Sequence, residues 1–177
     1  MNTKDHFREG NKAAQKMLCF LLISLIPLLM IFSVYLNNPN SSFLNSISVV
    51  TRNLPAIISA NNPILSKSMD TYTKTAPLLA LFILFRTYKT LKLKKSKSQW
   101  EAFGILIAFT AFYTIMIYLF LFTDTELTTS GKLLNLLSTN DLFLCFFYVS
   151  LYCGIYIFSY LYFWFIIGTY NLFKERR

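Results

Sequence analysis

Residues 17–36 read MLCFLLISLIPLLMIFSVYL, twenty residues without a charge. A bilayer core of ~30 Å needs about 20 apolar residues per helical crossing, so this stretch alone points to a membrane span. Pro27 near its centre removes a backbone donor and kinks a helix, which a membrane bundle tolerates where neighbours re-satisfy the backbone. Three more apolar stretches follow. Residues 102–123 are equally free of charge, and residues 142–170 are longer than a crossing needs and must tilt or emerge. Residues 72–88, extended to about 90 as a helix, form the weakest span. Lys74 and Arg86 bound its apolar part and must snorkel to opposite interfaces. Pro77 suits the first turn of that helix. The expected fold is all-α: a polytopic membrane protein whose single integral domain, residues 1–177, has four transmembrane helices at about 17–36, 72–90, 102–123 and 142–170.

Composition agrees. Mean hydropathy is +0.48, and charged residues make up only 14% of the chain. A soluble domain of this size cannot hide so much apolar surface, so lipid must cover it. The net charge of +9 raises nucleic-acid binding as an explanation, but the positions give a better one. Lys4, Arg8, Lys12 and Lys16 precede the first span. Arg86, Lys89, Lys92, Lys94, Lys95 and Lys97 follow the second, and Lys174, Arg176 and Arg177 follow the fourth. The opposite side holds only Arg52, Lys67, Lys74 and Lys132, so the bias is thirteen against four. The positive-inside rule then places both termini and the 91–101 loop in the cytoplasm, with loops 37–71 and 124–141 outside. The cluster between residues 86 and 97 is also compatible with anionic headgroups. No nucleic-acid partner is needed.

The long first stretch, followed by Asn37-Asn38-Pro39 rather than a small-x-small site, reads as a retained anchor and not a cleaved signal. Cys19, Cys145 and Cys153 all fall in apolar stretches and read as small fillers. In the first outer loop, Phe43, Ile47, Val50 and Leu54 recur at helical spacing. They read either as an interfacial amphipathic helix or as scattered apolar residues in a loop. Pro55 and Asn61-Asn62-Pro63 mark turns. Thr139 or Asn140 is placed to cap the last helix. Asp124, Glu126 and Asp141 share the second outer loop. A cation site would need converging oxygens, which nothing here fixes, so a solvated loop is the simpler reading.

Chemistry is sparse. The chain has one histidine, His6, in a polar tail, and no ionisable residue lies deep in the first, third or fourth stretch. Coupled transporters usually carry one there. No metal spacing, phosphate loop or nucleophile–base pair is present, so no metal, cofactor or enzymatic activity is expected. Gly104, Ala108 and Ala111, facing Ser150 and Gly154, offer a small-residue seam between the third and fourth helices. Trp100 and Trp164 read as interface anchors. Tyr148, Tyr152, Tyr156 and Tyr160 form a stripe along the fourth helix. A buried hydroxyl without a partner costs a few kcal/mol, so the stripe is either internal glue or a docking face for a foreign helix.

Several segments on the outer side carry a resemblance. They are Leu25-Ile26-Pro27-Leu28-Leu29, Asn53-Leu54-Pro55-Ala56-Ile57, Asn62-Pro63-Ile64, Met69-Asp70-Thr71-Tyr72-Thr73-Lys74-Thr75-Ala76-Pro77 and Glu126-Leu127-Thr128-Thr129-Ser130-Gly131. Together they resemble the colicin A-type immunity proteins, the four-helix group that protects bacteria from their own pore-forming colicins. The match covers nearly the whole chain and departs over residues 86–100 and in the fourth stretch.

The resemblance implies a multi-pass protein of the bacterial inner membrane. Its partner would be the channel-forming domain of a colicin, bound within the bilayer so that the channel cannot open, with no catalysis. The implied contact region is the outer loops and adjoining helix ends: Asn53, Leu54, Pro55, Lys74, Thr75, Ala76, Pro77, Glu126, Leu127, Thr128, Thr129 and Gly131. Tyr152 and Tyr156 supply a second candidate surface. The excess of Lys over Arg is in keeping with an AT-rich, plasmid-borne gene. The competing reading is a small multi-pass scaffold or transporter subunit.

Overall fold

The computed structural model describes residues 3–88 and 99–174. Most of the basic 91–101 loop, and with it the headgroup reading of the 86–97 cluster, lies outside the described residues. The chain is an all-α membrane protein. Helix α1 runs over Thr3–Asn37, α2 over Ser42–Val50, α3 over Pro63–Thr73 and α4 over Ala76–Thr87. They are followed by α5 at Gln99–Leu121, α6 at Lys132–Thr139 and α7 at Asp141–Lys174. Among the described residues, three helical segments are long and apolar enough to cross a membrane: Asn11–Asn37, Trp100–Leu121 and Asp141–Lys174.

The described part of the expected helix 72–90 is instead divided, residues 72–73 ending α3 and Ala76–Thr87 forming α4. The break falls at Lys74-Thr75, because Pro77 near the start of α4 has no N–H to continue the ladder from α3. The expected loop 37–71 is also mostly structured. It contains α2, a short strand β1 at Ile57–Ile58 and all but the last turn of α3. Ser41 caps α2, its hydroxyl accepting from Leu44 N–H at 3.3 Å. The expected second outer loop, 124–141, holds strand β2 at Thr125–Glu126 and then α6; the end of the bundle formed by it and loop 37–71 takes the name outer end from that expectation. Gly131 turns the chain into α6 at φ 131°, a left-handed conformation that a side chain resists. Asn140 caps α7 as expected, accepting from Leu142 N–H at 2.8 Å. All three cysteines are free thiols.

Helix α7 is the spine. On its outer half Leu144, Cys145 and Tyr148 pack with Leu28 and Ile31 of α1, Leu44 of α2 and Leu65 and Met69 of α3. On its inner half Tyr152, Ile155, Tyr156 and Tyr160 pack with Leu21 of α1, Ala76, Ala80 and Leu84 of α4, and Tyr113 and Met116 of α5.

The small-residue seam between α5 and α7 is corrected. Gly104, Ala108 and Ala111 are exposed, and a Cβ built on Gly104 or Gly154 would meet nothing within 4 Å. These helices meet instead through aromatic rings. Tyr113 stacks on Tyr162 at 4.2 Å, and Phe112 meets Phe158 edge-on at 5.6 Å. The Tyr113 and Ser159 hydroxyls lie 2.9 Å apart inside this seam. Small residues let backbones approach, but this pair is held apart by large rings, so the small residues turn outward. Trp164 also differs from a pure interface anchor, since its indole N–H is buried and finds no partner among the described residues.

Candidate functional site

The outer end of the bundle is where irregular backbone, charge and buried polar groups collect. Two extended pieces, 52–60 and 122–131, are drawn between the helix ends and lie side by side as a short parallel ladder, Ile57 opposite Thr125 and Ile58 opposite Glu126. Thr125 N–H donates to the Ala56 carbonyl at 3.1 Å, and Leu127 N–H donates to the Ile58 carbonyl at 2.8 Å. Backbone in such a conformation survives near hydrocarbon only when protein covers its polar groups. Here Ile57 is 4% exposed and Leu127 1%.

Three carboxylates of the 124–141 loop hold the 37–71 loop. Asp124 accepts from Ala56 N–H at 2.8 Å. Glu126 accepts from Ala60 N–H at 2.8 Å and from the Thr128 hydroxyl at 2.6 Å. Asp141 accepts from the Asn62 amide, whose oxygen in turn accepts from Tyr35 of α1 at 3.0 Å. The solvated-loop reading of these residues is therefore corrected, and they do not converge on one point either. Each fastens a different residue of the first outer segment. Among the described residues no group of His, Cys, Asp and Glu has the spacing of a metal site. Burial pushes the Glu126 carboxyl upward, but hydrogen bonds from Thr128 and Ala60 outweigh it and hold it below the usual range. Hydrogen bonds to an ionised group contribute ~1.5–3 kcal/mol each, so this clasp orders the outer end.

Beneath the ladder lies an ion pair. Lys74 Nζ sits 2.9 Å from Asp70 Oδ2, with Asp70 only 1% exposed, and it also donates to the Pro55 carbonyl. The other Asp70 oxygen accepts from Ile57 N–H at 3.3 Å. Lys74 therefore does not snorkel to an interface. It turns inward at the α3–α4 break and ties that break to the 52–60 segment. Arg86, by contrast, is exposed, its guanidinium 5.5 Å from the Phe82 ring centroid.

The anticipated contact residues separate into three groups. Asn53, Leu54, Thr129 and Gly131 are exposed. Pro55, Lys74, Thr75, Pro77, Glu126 and Thr128 are half-buried and belong to the clasp or the helix break. Ala76, Leu127, Tyr152 and Tyr156 are buried. The tyrosine stripe faces inward throughout: Tyr148 donates to the Ile57 carbonyl at 2.6 Å, and Tyr160 meets Thr87 at 3.0 Å. Tyr156 reaches the Met17 carbonyl only at 3.5 Å, while Tyr152 stacks on Tyr72 at 5.5 Å and its hydroxyl has no partner among the described residues. Internal packing is its role here, and neither Tyr152 nor Tyr156 offers a surface.

Sequence reasoning placed Val50 on the stripe of α2 but missed the rest of the apolar edges of the two short outer helices. Val49 and Val50 of α2 are 72% and 84% exposed, and Leu133 and Leu136 of α6 are 73% and 59% exposed. Of the expected stripe, Phe43, Ile47 and Val50 fall in α2 and Leu54 lies beyond it; Phe43 and Val50 point out of the bundle, as the interfacial reading has them, and Leu44, outside the stripe, anchors the helix. The repeated leucines of Lys132–Thr139 were a visible signal for α6.

Comparison with known proteins matches residues 40–177 to the family described as colicin immunity protein. The colicin A immunity protein of Citrobacter freundii is 37% identical over all 177 residues and 99% of its own length. The colicin B immunity protein of Escherichia coli is 34% identical over 146 residues, 82% of this chain and 83% of its own. The colicin N immunity protein of Escherichia coli is 45% identical over 105 residues, 59% of this chain and 80% of its own. No solved structure matches.

Proposed function

This chain belongs to the colicin immunity protein family, and from that premise we propose how it confers immunity to a pore-forming colicin. It lies in the inner membrane and binds the channel-forming domain of its colicin within the bilayer, as an inhibitor and not as an enzyme. The bound toxin is kept from opening. The α3–α4 pair supplies a fourth, broken crossing: Pro63–Thr73 and Ala76–Thr87 with their two-residue break are ~37 Å long as helix, enough for a ~30 Å core. The Lys and Arg bias supports cytoplasmic termini.

The observation that carries the contact region is the clasp. It holds two irregular segments in one arrangement and leaves Asn53, Leu54, Thr129 and Gly131 exposed on it, flanked by the apolar edges of α2 and α6. Rigid, pre-ordered surfaces bind with less entropic cost. Magnitudes favour an extended contact. A voltage-driven toxin gains ~2.3 kcal/mol per charge per 100 mV, and an inhibitor must prefer the closed state by at least the total. Interhelical hydrogen bonds average only ~0.6 kcal/mol each, so many contacts are required. Confinement of both partners to one membrane raises their effective concentration and helps.

A spot-killing assay tests this. Cells expressing the chain are challenged with a panel of pore-forming colicins and with nuclease colicins. Survival against one or a few pore formers, with nuclease killing intact, is expected. Uniform killing at confirmed membrane expression overturns the reading for those toxins. Leu54→Asp combined with Thr129→Arg is expected to abolish protection at unchanged protein level. Full protection by that variant removes the clasp as the contact surface.

A further inference from the structure

A laterally open groove lies beside the clasp. It has a volume of about 370 Å3 and runs along α1 from Pro27 past Met30 to Val34, between Phe43 and Ile47 of α2 and Thr71 of α3. Its hydroxyls are already satisfied. Thr71 and Thr51 each donate to the carbonyl four residues back, at 2.8 and 2.7 Å, and their hydroxyl oxygens lie 3.2 Å apart. Walls with no free polar group hold no water. A groove of this character on a membrane protein is filled by hydrocarbon.

The edge of the groove is not apolar. Thr51 bridges two lining residues, Ile47 and Thr71, and the next residue is Arg52, exposed and without a side-chain partner among the described residues. Lys67, one turn before Thr71, reaches across to the Leu54 carbonyl at 2.6 Å. The expected outer side of this chain is sparing with cations, yet two of its four stand next to residues at this edge: Arg52 follows Thr51, and Lys67 lies one helical turn before Thr71. Lys74 is taken by Asp70.

We propose that the groove is a phospholipid site. It takes one acyl chain of an anionic glycerophospholipid of the outer leaflet, with the phosphate held at Arg52 and Lys67. The guanidinium fork suits phosphate oxygens, and a lysine adds a point charge. A single acyl chain, one carbon wide, fits a groove whose walls carry no free polar group, and the unpartnered Arg52 near its edge favours a lipid with an anionic headgroup. The assignment rests on the cytoplasmic termini proposed above, which put α2 on the outer side, and needs no toxin.

The test is native mass spectrometry of the full chain, extracted from bilayers holding equal phosphatidylglycerol and phosphatidylcholine with identical chains. One phosphatidylglycerol is expected to be retained in preference by about fivefold per engaged cation, the factor set by the attraction of a basic residue to an anionic lipid surface. Arg52→Gln is expected to remove its share of that preference. Met30→Trp, which fills the groove from its 61% exposed side, is expected to lose both lipids, with Val34→Phe as a second filling variant should Met30→Trp fail to fold. Lys132→Gln on α6 should change nothing. Equal retention of the two lipids by the wild type overturns the proposal. Retention indifferent to a folded filling variant, or an effect of Lys132→Gln as large as that of Arg52→Gln, does so too. Because no toxin enters this measurement, it can fail while the spot-killing assay succeeds, and the reverse.

Discussion

The outer and inner ends of this bundle are held together by different chemistry. At the outer end, carboxylates fasten backbone N–H groups across sixty or more residues of sequence, as in Asp124 to Ala56 and Glu126 to Ala60. At the inner end, rings do the work: Tyr113 against Tyr162, Phe109 against Phe165, with the Tyr113–Ser159 and Thr87–Tyr160 hydroxyl pairs set among them. The difference follows from what each end must cover. Continuous helices satisfy their own backbone and need only packing. The outer segments leave the helix and need a partner for every group. Among the described residues, backbone that is both irregular and fastened in this way lies at the outer end.

The largest way to break the comparison is at Lys74. Removing it leaves Asp70 buried beside the ladder with only the weaker field of Lys67 as counter-charge, and breaking a buried pair costs ~3–5 kcal/mol. Lys74→Met is expected to lower stability by that order in a denaturing-detergent titration followed by far-UV circular dichroism, and protection should fall with it. Asp70→Asn is expected to cost less. It keeps an acceptor for Ile57 N–H, and Lys74 is 18% exposed and retains the Pro55 carbonyl. Equal losses from the two substitutions would mean that the pair is solvated and the outer end is not specially held.

The inner end should respond more gently. Tyr113→Phe and Ser159→Ala each remove one side of a hydroxyl pair, and a double-mutant cycle is expected to give a coupling of ~0.6 kcal/mol, with ~1.7 kcal/mol as a ceiling. Protection should be retained in both. A coupling near that found at Lys74 would erase the contrast between the two ends.

What was legible in the sequence divides along the same line. Charge-free runs such as residues 17–36 and 102–123 announced membrane helices, because hydrocarbon imposes one simple demand on a long segment. The α2 periodicity and the Asn140 cap were readable for the same local reason. The clasp was not. Asp124 and Ala56 are far apart in the chain, and nothing in either neighbourhood says that one accepts from the other. The break after Thr73 was half visible in Pro77, yet the inward turn of Lys74 depends on Asp70 and on a carbonyl nineteen residues away. The α5–α7 seam misled in the other direction. Gly104, Ala108 and Ala111 match a packing motif, but the rings beside them set the distance.

Acid gives a smaller and reversible way to loosen the outer end. The folded-state pKa of Glu126 is held below its ordinary value of 4.5, so its contribution is present above that value and is lost as pH falls through the folded pKa. Hydrogen exchange at Ala60 and Thr128 N–H is expected to rise, after correction for intrinsic rates, as pH falls below about 4.5, with α5 and the inner half of α7 unaffected. Glu126→Gln should remove that dependence. A loss of protection spread evenly over the molecule would tie the acid response to other carboxylates.

The smallest expected effect is at Gly104, and it sharpens the contrast by its absence. If the small residues of α5 were a packing seam, a large side chain there would force the helices apart at a cost of ~1–3 kcal/mol, as overpacking does in tight interiors. The structure gives a Cβ at this position nothing within 4 Å, and the residue lies on the side of α5 away from Tyr113. Gly104→Leu is therefore expected to shift stability by no more than ~0.5 kcal/mol in the detergent titration, the range of a surface substitution, with protection unchanged. A loss on the overpacking scale would show that this face of α5 meets another helix in the membrane. The aromatic seam would then be one of two interfaces on α5, and the inner end would have a partner of its own.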